Sequence, residues 1–130
     1  MRRRADLSGA NLSRAVLQET QLAGAFLNRA NLADAWLSRA GLAYAVLSEA
    51  SLLDADLSAA SLYGADLEAA DLTRADLRRA NLGEANLVSA TLIGSYVEGA
   101  SRGSASKWTN RVGFRCVAVG GGQQGMWLAR

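Results

Sequence analysis

The chain contains no histidine, no proline and a single cysteine among its 130 residues. Without histidine, it lacks the side chain that most often acts as a general base near neutral pH. Cys116 has no second cysteine with which to form an intrachain disulfide or a thiolate metal site. A run of about 18 apolar residues, as a membrane-spanning helix requires, is also absent. The composition therefore predicts no catalytic, cofactor or metal site and no transmembrane segment.

The start of the chain bears on its location. Met1–Arg4 has the basic character of a signal-peptide start, but the apolar segment that should follow it is absent. A single free cysteine fits a reducing compartment. The sequence therefore predicts a cytoplasmic protein.

Charge is distributed unevenly, although the net formal charge is only +2. Residues 5–100 carry all 12 acidic side chains and 6 basic ones, a balance of −6. The leading arginines add +3, and the residues after 100 add +5. This asymmetry predicts an acidic body with basic ends, and electrostatic docking of the basic tail onto the body is one interpretation.

A five-residue repeat dominates the sequence. Leucine occupies the same place in 18 successive repeats, from Leu7 to Leu92, and Val97 occupies the next. Alanine lies two residues before nearly every one, with Thr20 and Ser95 as exceptions. These 19 repeats divide the chain into a basic lead (1–4), a repeat body (5–100) and a Gly- and Ser-rich basic tail (101–130).

A period of five fits neither a helix nor a continuous strand. In an α-helix, each five-residue step adds about 140° to a full turn and scatters the leucines around the axis. In a strand, the odd spacing sends successive leucines to opposite faces. A chain that turns the same way in every repeat keeps each Ala and Leu inside, in coils stacked roughly 4.8 Å apart. The period itself leaves the number of sides per coil open.

The repeats Ala-Asp-Leu-Ser-Gly (5–9) and Ala-Asn-Leu-Ser-Arg (10–14) resemble the A-(D/N)-L-x-x signature of the pentapeptide-repeat family. The resemblance implies an all-β fold, a right-handed quadrilateral parallel β-helix with four repeats per coil. The repeat body would then form about 4–5 coils, followed by an irregular C-terminal tail. Because leucines fill such coils, function is expected on the outer faces or at the ends.

Several outward positions of the first coils are occupied by apolar residues instead of polar ones. A four-sided register stacks Phe26 near Val46 on one face and Val16 near Trp36 on the opposite face, with Tyr44 at a corner. These five residues are the candidate partner-binding surface, since exposed aromatic and aliphatic groups favour protein contacts. The alternative interpretation is ladder packing between neighbouring coils.

The later coils carry an acidic cluster interrupted by arginines. Its members are Asp54, Asp56, Asp66, Glu68, Asp71 and Asp76, interleaved with Arg74, Arg78 and Arg79. Some pentapeptide-repeat proteins resemble duplex DNA and bind type II topoisomerases, so the resemblance implies a gyrase-protecting or gyrase-inhibiting DNA mimic as one function. The alternative for this cluster is a solvated, salt-bridged face.

The tail shows a second, shorter resemblance. Residues 110–117 resemble the closing stretch of formylglycine-generating, sulfatase-modifying domains, and residues 102–104 resemble an earlier piece. Such a domain needs a longer chain and a copper-binding cysteine pair, whereas this chain has only Cys116. The tail is therefore interpreted as a non-catalytic remnant, a truncated fusion or a coincidental match, and it could also cap the last coil.

The preferred hypothesis is a non-catalytic interaction or scaffold module with an unidentified protein partner. Open β-edges at the two ends of the coil stack also suggest a homodimer formed through one end. Contact with a membrane or directly with nucleic acid is not expected.

Overall fold

The computed structural model describes residues 4–103. The first three residues and the tail from residue 104 onward lie outside the described residues. The predicted C-terminal cap and the segment 110–117 that resembles sulfatase-modifying domains therefore lie there too. Within the described part, parallel bridges join single residues 20 positions apart, from Asp6 with Phe26 to Asn81 with Ser101. Four five-residue repeats thus make one coil.

The bridges define four faces of a quadrilateral β-helix. Face 1 contains Asp6, Phe26, Val46, Asp66 and Asn86; face 2 contains Asn11, Asn31, Ser51, Asp71 and Thr91; face 3 contains Val16, Trp36, Asp56, Asp76 and Tyr96; face 4 contains Gln21, Gly41, Ser61, Asn81 and Ser101. Each side pairs through one residue, except where both Ser95 and Tyr96 are bridge residues, and residues 4–103 contain no helix. None of these residues therefore belongs to a helix able to cross a bilayer. The predicted all-β solenoid with four repeats per coil is confirmed.

Backbone hydrogen bonds connect each coil to the next. On face 1, the Leu7 amide donates to the Phe26 carbonyl at 2.7 Å, and the Phe26 amide donates to the Ala5 carbonyl at 2.9 Å. The pattern continues to Ser101, whose carbonyl accepts from the Leu82 amide at 2.7 Å. Ser101 still pairs with the preceding coil, although Arg102 stands where the repeat would place a leucine. The ladder uses only backbone groups, so the loss of that leucine does not end it.

A tight turn forms every corner. The leucine carbonyl accepts a hydrogen bond from the amide three residues on, as between Leu7 and Ala10 at 3.0 Å. The second residue after the leucine has a positive φ in all 19 repeats, with glycine in 5 of them and other residues in 14. A positive φ at the third position of a four-residue turn is the geometry of type II turns. The corner therefore turns the chain whether or not glycine is present.

The polar residue before each leucine stabilises the following turn. The Asn31 Oδ1 accepts a hydrogen bond from the Ala33 amide at 3.0 Å, which forms an Asx turn. Nine repeats make this bond, through Asp6, Asn11, Asn31, Asp56, Asp66, Asp71, Asp76, Asn81 and Asn86. The preference for Asp or Asn at this position therefore has a structural cause.

Leucine and alanine form the core. From Leu27 to Leu92, no leucine of the repeat is more than 1% exposed. The leucines of the first coil are only partly buried because no described coil covers them. Ser95 stands in an alanine position and stays buried, since its hydroxyl donates to the Leu92 carbonyl at 2.9 Å.

Candidate functional site

Large outer side chains lean over small residues of the next coil. An added Cβ at Gly64 would lie 2.5 Å from the Tyr44 ring, and one at Gly41 would lie 2.5 Å from the Gln21 Oε1. Both contacts join residues 20 positions apart. Such residues occupy the same place in successive coils and form a column along the axis of the β-helix. Glycines in these columns therefore leave space for the large side chain that occupies the same position one coil earlier.

Val16 and Trp36 form the more exposed apolar pair. They bridge each other on face 3, and their side chains are 69% and 54% exposed. Tyr96 closes the same face at its other end, where the Arg78 guanidinium lies 5.9 Å from the centre of the ring. Face 3 thus presents an apolar start, followed by Asp56 and Asp76.

Phe26, Val46 and Tyr44 lie on the other side of the β-helix. Phe26 bridges Val46 on face 1, while Tyr44 occupies the corner between faces 4 and 1. The Tyr44 ring contacts that of Tyr63 edge to face, with centroids 5.8 Å apart and planes at 79°. The pKa of Tyr63 is raised, mainly by the negative charge of Glu84. The five candidate residues therefore form two separate patches, and the sequence interpretation missed Tyr63.

Ion pairs cross the acidic cluster of the later coils. Arg74 binds Asp54 of the preceding coil through two hydrogen bonds of 2.8 and 2.9 Å. Arg78 binds Asp76 through bonds of 2.9 and 2.6 Å. These arginines lower the pKa of Asp54 and Asp76 because they hydrogen-bond to the charged carboxylates. Part of the acidic charge is therefore neutralised within the surface itself.

An open groove of about 560 Å³ runs along the corner between faces 3 and 4. Its lining consists of Gln18, Glu19, Ser38, Arg39, Asp56, Ser58, Ala59 and Arg79. Ala59 stands in one column between Arg39 and Arg79, so the groove, called here the Ala59 groove, opens where a short side chain separates two long ones. The sequence interpretation missed this groove, although the 20-residue register would have aligned these positions.

A metal site is not visible in the part of the chain that the structure covers. Residues 4–103 contain no group of three or more histidine, cysteine, aspartate or glutamate side chains placed to hold an ion. Many of the aspartates instead accept hydrogen bonds from their own turns. The described surface presents exposed apolar and aromatic side chains together with arginines.

Comparison with known sequences identifies the repeat. A family model described as pentapeptide repeats matches residues 3–34, 35–74 and 70–101, with eight copies. The chain belongs to the pentapeptide-repeat family. A comparison of this pentapeptide-repeat protein with curated proteins finds no match.

Solved structures share the pentapeptide-repeat fold. A pentapeptide repeat protein from the Arabidopsis thaliana thylakoid lumen is 34% identical, with a TM-score of 0.51 over 77% of this chain and 63% of that one. QnrB1, a plasmid-mediated fluoroquinolone resistance protein, is 24% identical, with a TM-score of 0.54 over 81% of this chain and 66% of its own. The chain spans just under two thirds of each relative.

Proposed function

We propose that this pentapeptide-repeat protein is a non-catalytic module that binds another protein through the start of face 3. The observation that carries the proposal is the adjacent pair Val16 and Trp36, exposed by 69% and 54%. Most repeats keep their large apolar side chains in the core, and tryptophan is enriched at the energetic centres of protein interfaces. Phe26, Val46 and Tyr44 form a second candidate surface on the opposite side.

Affinity capture with matched variants tests this proposal. The full chain, Trp36→Ser and Tyr96→Ser serve as baits in lysate of the organism that encodes the protein. Tyr96 is the control because it lies on the same face and is 56% exposed. We expect a protein that the wild type and Tyr96→Ser retain and Trp36→Ser loses. Identical captured sets from all three baits would contradict the role of Trp36, and Phe26→Ser probes the second surface.

The DNA-mimicking function has weaker support. Arg74 and Arg78 neutralise Asp54 and Asp76 within the acidic cluster. QnrB1 shares the fold at 24% identity, which carries no functional role to this chain. A gyrase supercoiling assay tests this alternative, and unchanged supercoiling at micromolar protein would remove it.

Two further expectations belong to this proposal. A homodimer formed through one end of the β-helix would double the mass measured by light scattering, and a monomeric mass would remove it. A cytoplasmic location is supported by composition alone, whereas one relative comes from the thylakoid lumen. Imaging of a fluorescent fusion would test the location.

A further inference from the structure

We propose that the Ala59 groove receives a carboxylate from an acidic segment of the partner, whose neighbouring apolar side chain packs on Trp36. This inference rests on the proposed function, because it names the chemistry of the partner expected at face 3. It is argued from the geometry of the groove, the pairing of its arginines and the position of its acidic residues.

The geometry provides two cations on either side of a gap. Arg39, Ala59 and Arg79 occupy the same corner position in three successive coils. At the spacing of stacked coils, the two arginine backbones lie roughly 10 Å apart along the axis. Between them, Ala59 contributes only a methyl group, and both arginines line the groove, so a carboxylate bound at this level would lie beside two guanidinium-bearing side chains.

The two arginines differ from their neighbours in their pairing. Arg29, Arg74 and Arg78 each form an ion pair within the surface. Within residues 4–103, Arg39 and Arg79 form no ion pair and donate no side-chain hydrogen bond, so their guanidinium donors are available. A guanidinium can bind a carboxylate through two parallel hydrogen bonds, which makes a carboxylate the natural ligand.

Contacts along the column support the position of Arg79. Its Cγ would lie 3.1 Å from a Cβ added at Gly99, so the aliphatic stem rests on the next coil. Arg79 also contributes to the lowered pKa of Asp76, as the smallest of its causes. The Arg79 stem therefore leans towards Gly99, while its side chain still lines the groove and forms no ion pair within residues 4–103.

The acidic residues of the groove limit what can bind. The Asp56 Oδ1 accepts hydrogen bonds from the Ser58 amide at 3.0 Å and the Ser58 hydroxyl at 2.6 Å, so this carboxylate is held on face 3. Glu19 lies one coil before Arg39 in the same column. Together they would repel a densely charged polyanion. The groove therefore favours a single carboxylate beside an apolar group over a nucleic acid or a polyglutamate tract.

A matched pair of peptides tests the inference. Acetyl-Leu-Gly-Glu-amide and acetyl-Leu-Gly-Gln-amide are titrated into the full chain, and NMR follows the arginine Nε–H signals. We expect the Glu peptide to shift the signals of Arg39 and Arg79 saturably and to bind at least about tenfold more tightly than the Gln peptide. Equal shifts at Arg14, or equal affinity for both peptides, would overturn the inference.

Variants separate the groove from general attraction. Ala59→Gln fills the groove and keeps every charge, and Arg39→Gln/Arg79→Gln removes both cations. We expect each to weaken the Glu peptide by at least about tenfold. The control Arg4→Gln/Arg14→Gln removes two exposed arginines elsewhere and should change affinity less than about twofold. Equal losses in both double variants would contradict the inference, and thermal melts check that each variant is folded.

The outcome remains distinct from that of the proposed function. If Trp36→Ser abolishes lysate capture while the groove variants bind the peptide normally, face 3 binds a partner and the carboxylate site is wrong. If the groove variants lose peptide affinity but Trp36→Ser captures the same proteins as the wild type, the carboxylate site is supported and the proposed role of Trp36 is wrong.

Discussion

Fourteen residues other than glycine hold a positive φ at the corners of the β-helix, in a conformation that usually costs them about 1–2 kcal/mol each. They include charged and aromatic residues, such as Arg14, Asp34 and Tyr44. The fold tolerates this cost because each turn places one leucine and one alanine in the core. Glycine would avoid this backbone strain at the corners, but it occupies only 5 of the 19 corner positions.

Replacement of Ala69 by glycine should stabilise the protein. Ala69 has a φ of 59° on an exposed corner, so glycine removes backbone strain without loss of core contacts. We expect a gain of about 1 kcal/mol in the free energy of unfolding, measured by denaturant melts. Gly9→Ala is the reverse control, because a Cβ there meets nothing within 4 Å and the φ is +68°. A neutral result for both variants would show that the corners are unstrained.

Loss of an Asx turn should be measurable at a single residue. Asn31→Ala removes the side-chain acceptor of the Ala33 amide, and we expect a loss of about 0.5–1 kcal/mol in unfolding free energy. Ser51→Ala is the matched control, since Ser51 occupies the same face one coil later. Equal effects of the two variants in urea melts would rule out a special role for the Asn31 side chain.

A coil is the unit in which the core is built. Four leucines meet at the centre of each, and those from the second coil onward are at most 1% exposed up to Leu92. The coil gains its stability from this packing and from ladders of single residues, because its sides are too short to form conventional strands.

Truncation of a central leucine should leave a cavity. Leu52 is 0% exposed, and we expect Leu52→Ala to reduce the free energy of unfolding by about 2–5 kcal/mol. Leu12→Ala in the half-covered first coil should cost less. The measurement is a chemical melt of both variants, and a larger effect at Leu12 would contradict the core assignment.

Enlargement of the wall should be equally damaging. Ala55 is 1% exposed beside the central leucines, so Ala55→Leu overpacks the coil and should lower the melting temperature by several degrees. Ala69→Leu on an exposed corner is the control, with little change expected. An unchanged melting temperature for Ala55→Leu would show space in the wall that the structure does not contain.

The sequence predicted the coils well because their cause is periodic. Leu52 and Ala55 recur at a fixed spacing, and the family signature supplied the number of sides. The register places Ala59 between Arg39 and Arg79, but it does not reveal which arginines find partners, because pairing depends on side-chain positions. The role of Asn31 in its turn was also missed, although Asp or Asn two residues before a turn residue is a signal of an Asx turn.

At the scale of the whole molecule, ion pairs and hydrogen bonds at the surface lower the pKa of several carboxylates. Asp54 and Asp76 have a lowered pKa because of their arginine partners, and Asp6 because Ser8 donates to it. Arg74 and Arg78 show the matching rise in pKa. These groups make folding stability depend on pH.

Acid should destabilise the protein through these carboxylates. Their folded pKa values lie below the ordinary 3.8, so their contribution is complete above that value and is lost as pH falls through the folded pKa. We expect the melting temperature to fall as pH is lowered from 4 towards about 2. Asp76→Asn keeps an oxygen acceptor for the turn but loses the ion pair, so its melting temperature should fall less. A steeper fall in the variant would contradict the assignment.

The quarter-turn per repeat links the length of the chain to the identity of its surface. Duplication of a single repeat between Arg39 and Arg79 would preserve the leucine interior, yet it would rotate every later outward side chain onto the adjacent side and separate the two arginines. Only an insertion or deletion of 20 residues, which is one full coil, keeps the residues of each column aligned. Lineages of such proteins can therefore lengthen in small steps without unfolding, but they keep an existing binding surface only when they grow by whole circuits.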